Sequence, residues 1–139
     1  MARYFLDTHI VYWLISESPK LDNNLREDIL YPSGDIYLTS EFVILELTHL
    51  CQLEKIKIPG GVKALQASLS SMNVELDLIT DKAFEVLEKT PILTIDGKKH
   101  TDMIDRIIIA NCIAYNETLI SHDSKFPHYR KYGLKLLEA

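Results

Sequence analysis

The sequence predicts an α/β domain: a central, mostly parallel, five-stranded sheet flanked by helices in three layers. Three observations carry that prediction. Short apolar runs alternate with longer helical patterns along the chain, as strand–helix–strand units require. Gly and Pro separate them at Pro19, Pro32-Ser33-Gly34-Asp35, Pro59-Gly60-Gly61, Pro91, Asp96-Gly97 and Gly133. Two runs, Tyr4-Phe5-Leu6 and Leu119-Ile120, are apolar without alternation, the pattern of strands covered on both faces.

Taken in order, a strand near 3–6 opens the chain and a helix near 8–16 follows. That helix, His9-Ile10-Val11-Tyr12-Trp13-Leu14-Ile15, is apolar beyond what one core face needs, so it lines a groove or a dimer contact, or else is simply core. After Pro19 comes a helix near 21–30. The Pro32–Asp35 turn leads to a strand near 36–39 and a helix near 40–54. Pro59-Gly60-Gly61 breaks that helix from the next, near 61–71. A strand near 74–77 and a helix near 80–88 follow, then a loop containing Pro91 and Asp96-Gly97. The remainder reads as a helix near 102–116, a strand near 118–121, a short helical turn near 123–128 and a last strand near 134–136. No internal repeat, low-complexity tract or linker interrupts this series, and residues 1–139 are expected to form a single domain.

At 139 residues the chain can bury a substantial core without disulfides or metals as staples. Its 47% apolar and 25% charged content is that of a globular domain and not of a disordered one. Cys51 and Cys112 lie within apolar helical patterns and read as reduced core residues. No apolar run reaches membrane-spanning length, and Met1-Ala2-Arg3 runs straight into a strand, so a cytoplasmic protein without a signal peptide is expected. A net charge of −5 gives no global electrostatic case for nucleic-acid binding. A few local cations in the last third, Lys98, Lys99, Arg106, Lys125, Arg130 and Lys131, are available for phosphate or are a solvated surface.

Four carboxylates stand out because each adjoins an apolar run: Asp7 after Tyr4-Phe5-Leu6, Glu46 within Phe42–Leu47, Asp105 before Ile107–Ala110, and Asp123 after Leu119-Ile120-Ser121-His122. An ionised carboxylate near an apolar core is costly unless a positive partner meets it. Gathered in one crevice, the four would also repel one another, and a hard divalent cation is the simplest remedy. Asp7 and Asp123 fall at strand carboxyl ends, where ligands bind in open α/β sheets. Either could equally be a helix N-cap. Glu46 shares a helix face with Val43, Leu47, Leu50 and Leu53, beside a second stripe of Phe42, Leu45 and His49, and so needs a partner, either a buried salt bridge or a cation. Asp102 suits an N-cap with Asp105 bonding back. For Asp105 that is incomplete, since Ile108, Ile109 and Cys112 turn its face inward. None of His9, His49, His100, His122 and His128 shows a metal-ligand spacing, and each reads as surface or core.

These residues together resemble the PIN domain, and more closely the VapC-like toxin ribonucleases of bacterial toxin–antitoxin pairs. The likeness rests on Leu6-Asp7-Thr8-His9 after a first strand, Trp13-Leu14, a Glu in the third helix and Gln52-Leu53-Glu54-Lys55-Ile56. It continues through Asp102-x-x-Asp105-Arg106-x-x-x-Ala110, Ser121-x-Asp123 and Phe126-x-x-Tyr129, and so spans essentially the whole chain. Two departures, Leu45 where the family often has an aromatic and Met103-Ile104 where it often has Pro-Phe, remove no ligand. The resemblance implies a PIN-like three-layer fold and a Mg²⁺- or Mn²⁺-dependent endoribonuclease. Asp7, Glu46, Asp105 and Asp123 would then be metal-binding and catalytic residues, and Asp102 an auxiliary acid. Thr8 and Ser121 would bond a metal water or phosphate oxygen, or merely cap backbone. Arg106 would contact RNA or pair with an acid. The implied partners are an RNA substrate, a small cognate antitoxin and a second copy of the chain.

Two other readings stay open. One is a PIN-like module that binds RNA or protein without cutting, against which the complete acidic quartet speaks. The other is a phosphatase forming an aspartyl-phosphate at Asp7. Such a site wants a second acid two residues on, where this chain has His9.

Overall fold

A computed structural model describes residues 1–139. Five strands, β1 (Arg3–Leu6), β2 (Ile36–Ser40), β3 (Glu75–Asp77), β6 (Thr118–Ser121) and β7 (Lys135–Glu138), form one sheet in the order β3-β2-β1-β6-β7. Every pairing in it is parallel, so the sheet is wholly parallel where the sequence predicted mostly so. The two unalternating apolar runs become neighbouring central strands, with Phe5, Leu6, Leu119 and Ile120 fully buried. The edge strand β3 is short and largely exposed.

The helices are α1 (Thr8–Ile15), α2 (Asn23–Leu30), α3 (Glu41–Gln52), α4 (Gly61–Ser71), α5 (Asp81–Lys89) and α6 (Met103–Tyr115). Local chemistry sets their starts. Asp22 caps α2 by accepting from the Leu25 N–H, Ser40 caps α3 through Phe42 N–H, and Asp102 caps α6 through Asp105 N–H. In α1, Thr8, Ile10, Val11, Trp13 and Leu14 are buried, so the core takes most of that helix and leaves Tyr12 and Ile15 half-exposed. A core of 24 buried apolar residues draws on both central strands and on α1, α3, α4 and α6. Cys112 is a buried core residue as the sequence predicts, whereas Cys51 is only half-buried and lies outside the core.

Two differences from the sequence reading matter for the site. The turn expected near 123–128 is a 3-10 helix over Phe126–Tyr132, ended by Gly133 in the left-handed region. The loop through Asp96-Gly97 is a β-hairpin of β4 (Thr94–Ile95) and β5 (Lys98–Lys99). Asp96 and Gly97 both hold positive φ, as a tight two-residue hairpin turn demands. Two-residue strands carry no periodicity, which is why the pattern does not reveal them. No helix is long and apolar enough to cross a membrane.

Candidate metal centre

All four sequence-predicted acids lie toward the carboxyl edge of the parallel sheet or on the helix turns above it, and Asp102 joins them. Pairing of Leu6 with Ile120 places the next residues, Asp7 and Ser121, side by side. Asp7 is 4% exposed and occupies the N-cap position of α1, yet its side chain makes no capping bond. Its Oδ2 instead accepts from Ser121 Oγ at 2.7 Å. Burial raises its pKa from 3.8 to about 6; the Ser121 hydroxyl and the Thr8 backbone N–H oppose that, and the nearby Glu46 charge adds to it.

Ser121 serves both strand-end acids. Its Oγ donates to Asp7 and accepts from the Asp123 N–H at 3.1 Å. Asp123 is half-buried, and its Oδ1 accepts from the Lys125 N–H at 2.8 Å and the Lys125 ammonium at 3.1 Å. That hydrogen bond and charge hold the Lys125 pKa above its usual value. Of the six cations singled out in the sequence, Lys125 is thus the one paired with a site acid.

The tightest grouping is Glu46, Asp102 and Asp105, one from α3 and two from the start of α6. Each offers a carboxylate oxygen within 4.8 Å of the others. Asp7 and Asp123 lie outside this triad but within its field. Asp105 is raised from 3.8 to about 8, first by burial, then by the charges of Asp102, Asp7, Asp123 and Glu46. Five carboxylates therefore share one electrostatic site. Asp102, read from sequence as auxiliary, both caps α6 and belongs to the triad.

The helix faces differ in part from expectation. Val43 and Leu47 flank Glu46 and are buried, but Leu45 and Leu53 are 55% and 49% exposed, so α3 packs less deeply than its apolar stripes suggest. Glu46 forms no salt bridge, which removes the ion-pair explanation for it. The expected back-bond of Asp105 to its cap is also absent. Its Oδ2 is instead 3.0 Å from His100 Nε2. Thr8 Oγ1 is buried without a hydrogen-bond partner, so it caps nothing, and Arg106 pairs with no acid while its buried Nε lacks a partner.

His100 is a site residue that the sequence pattern does not reveal. His9, His49, His122 and His128 are exposed, in keeping with surface histidines. His100 is 5% exposed, as a core histidine is, but it points into the site: Nδ1 lies 2.6 Å from the Tyr129 hydroxyl and Nε2 faces Asp105. Burial and then the Lys125 charge hold its pKa below the ordinary value. The only local signal is its place two residues before Asp102. The hairpin supplies the rest, since His100 N–H closes it on the Leu93 carbonyl at 2.8 Å.

The donor set suits a hard divalent cation. It consists of oxygens alone, it is deficient in countercharge, and burial has raised the proton affinity of two members, a cost that metal binding offsets. Fold and site thus define a parallel α/β domain with an acidic centre at the strand carboxyl ends. The chain belongs to the PIN domain family, whose model matches residues 4–132. A search of curated protein sequences finds no match. Among solved structures, the chain is similar to VapBC2 from Rickettsia felis bound to a promoter DNA fragment, at 22% identity and TM-score 0.69, covering 98% of both chains. It is also similar to VapBC-1 from nontypeable Haemophilus influenzae, at 19% identity and TM-score 0.69, covering 98% of this chain and 97% of the other. A third is VapBC-5 from Mycobacterium tuberculosis, of the VapBC family of toxin–antitoxin systems, at 18% identity and TM-score 0.63 over the full length of both.

Proposed function

We propose that residues 1–139 form a single PIN domain that acts as a Mg²⁺- or Mn²⁺-dependent endoribonuclease, the toxin of a toxin–antitoxin pair in the cytoplasm. The observation that carries this reading is the Glu46–Asp102–Asp105 triad, with Asp105 raised to about 8 by burial and its acidic neighbours. Membership of the PIN family and the VapBC complexes among the similar folds support the choice of nuclease chemistry and of a small antitoxin as partner. A homodimer is part of the same reading.

Asp7, Glu46, Asp105 and Asp123 would hold the cation, with Asp102 completing the acidic wall. When bound, the ion supplies a more acidic water and a countercharge for the scissile phosphate. Ser121 fixes the Asp7 carboxylate and orders the chain at Asp123. Thr8, with a free buried hydroxyl, and Arg106, with no acidic partner, are the groups left to bond a phosphate oxygen. Lys125 pairs with Asp123 and is the cation at the site that would be available to a phosphate.

The test is cleavage of RNA by purified protein with Mg²⁺ or Mn²⁺, compared with Asp105→Asn. Cleavage should require the ion, stop with chelator, and fall by at least about 100-fold in the variant, on the scale of losing one electrostatic catalytic group. Chelator-resistant cleavage, or full activity in Asp105→Asn, overturns the proposal.

A further inference from the structure

We propose that His100 and Tyr129 are positioning residues: a Tyr129–His100–Asp105 hydrogen-bond chain grips one oxygen of Asp105 and turns the other toward the cation. The inference rests on the metal-dependent reading above. Its three members come from separate elements: Tyr129 from the 3-10 helix, His100 from the end of the hairpin and Asp105 from the first turn of α6. Tyr129 is fully buried, His100 is 5% exposed, and the Tyr129 hydroxyl has no hydrogen-bond partner other than Nδ1.

With Asp105 ionised and the imidazole neutral, one arrangement of protons fits the two contacts. An ionised Asp105, the form a cation takes, can only accept, so Nε2 must carry hydrogen. A neutral imidazole protonated at Nε2 has a bare Nδ1, which must accept from the Tyr129 O–H. Each polar atom in the chain is then satisfied, at 2.6 Å and 3.0 Å. An apolar side chain at 100 and Phe at 129 would fill the same core volume without two buried polar groups to satisfy. A hydrogen-bonded partner behind a carboxylate ligand, by contrast, fixes which oxygen faces the metal, and losing such a partner typically weakens metal binding by about 10–100-fold. The Asp102 cap on the Asp105 N–H fixes the backbone of the same residue, so both ends of Asp105 are held.

The experiment is Mn²⁺ binding without RNA, followed by electron paramagnetic resonance or calorimetry, with the melting temperature recorded in parallel. Tyr129→Phe removes one oxygen and should weaken Mn²⁺ binding by about 10-fold while the protein stays folded. His100→Leu should weaken it further, toward about 100-fold. His100→Gln, whose amide nitrogen can replace the Nε2 donor, should recover most of that loss, which a purely structural role would not produce. If His100→Leu does not fold, Tyr129→Phe and His100→Gln still decide the matter. Wild-type affinity in Tyr129→Phe, or His100→Gln binding as poorly as His100→Leu, overturns the chain. Absence of Mn²⁺ binding in the wild type is a different result: it removes the metal reading itself, and the positioning role with it.

Discussion

Ser121 donates a 2.7 Å hydrogen bond to Asp7 although the two lie 114 positions apart in sequence. The bond joins the carboxyl ends of two neighbouring central strands, and the same hydroxyl accepts from the Asp123 N–H. It is the one side-chain donor to a carboxylate that is 4% exposed.

Ser121→Ala therefore strips Asp7 of that donor and leaves the Asp123 N–H without its acceptor. Loss of a bond to a buried charged group costs about 1–3 kcal/mol. Urea unfolding at pH 8 should show a loss in that range, with the slope of the transition unchanged. Mn²⁺ affinity should fall as well, because the Asp7 carboxylate is no longer oriented. A variant as stable as wild type would show that water replaces the hydroxyl at no cost.

Stability of the metal-free protein should fall as pH rises from about 4 to about 8. Asp7 and Asp105 bind protons more tightly folded than unfolded, with pKa values raised from 3.8 to about 6 and about 8. Their contribution is thus fully present below the unfolded value and is lost as pH climbs through each folded one. Each tenfold gain in proton affinity on folding is worth about 1.4 kcal/mol, enough to move the melting temperature by several degrees. Asp105→Asn keeps an acceptor for His100 without the charge, so its melting temperature at pH 8 should exceed that of wild type and depend less on pH. Saturating Mg²⁺ should raise the wild type, by about 2.7 kcal/mol at 100 times the dissociation constant, and leave the variant unmoved. Thermal scans across pH with and without Mg²⁺ check both statements.

The sheet and its acids were legible because their signals are local. Asp7 and Asp123 end apolar strands, and Glu46 sits among apolar neighbours, so each could be found without knowing the fold. Long-range relationships were not legible. Asp102 was readable as a cap, yet its approach to Glu46 depends on how α3 meets α6. His100 could be tied to Asp105 and Tyr129 only through a hairpin with two-residue strands and a 3-10 turn, neither of which has a periodicity. Leu45 and Leu53 show the converse: an apolar stripe states a preference for burial but not whether the domain has enough neighbouring surface to cover it.

The hairpin gives a third prediction. Gly97 holds φ of +79°, and a Cβ there would meet nothing within 4 Å, so Gly97→Ala suffers only backbone strain. The expected cost is about 1 kcal/mol. Because the hairpin is closed by His100, the loosening should reach the site: amide hydrogen exchange at His100 should speed up, while exchange in the central strands stays as in the wild type. Equal acceleration across the sheet would mean global destabilisation instead.

Lys125 makes the last prediction, in which two effects take opposite signs. Its ammonium lies 3.1 Å from Asp123 Oδ1 and competes for an oxygen that a cation would use. Among the five site acids, Asp123 is the one with a Lys or Arg salt bridge. Replacing Lys125 with Met keeps the apolar stem and removes the charge, so Asp123 is released to the metal and the positive field on Asp105 is removed. Mn²⁺ affinity should therefore rise, by up to about 5-fold for a partly exposed pair contributing up to about 1 kcal/mol. RNA binding should weaken, and its salt dependence should become shallower by about one phosphate contact. A calorimetric titration with Mn²⁺ and an RNA-binding series in rising salt measure the two sides. If both affinities fall together, Lys125 holds the site in shape; if only RNA affinity falls, Asp123 is not a ligand and the cation rests on Glu46, Asp102 and Asp105.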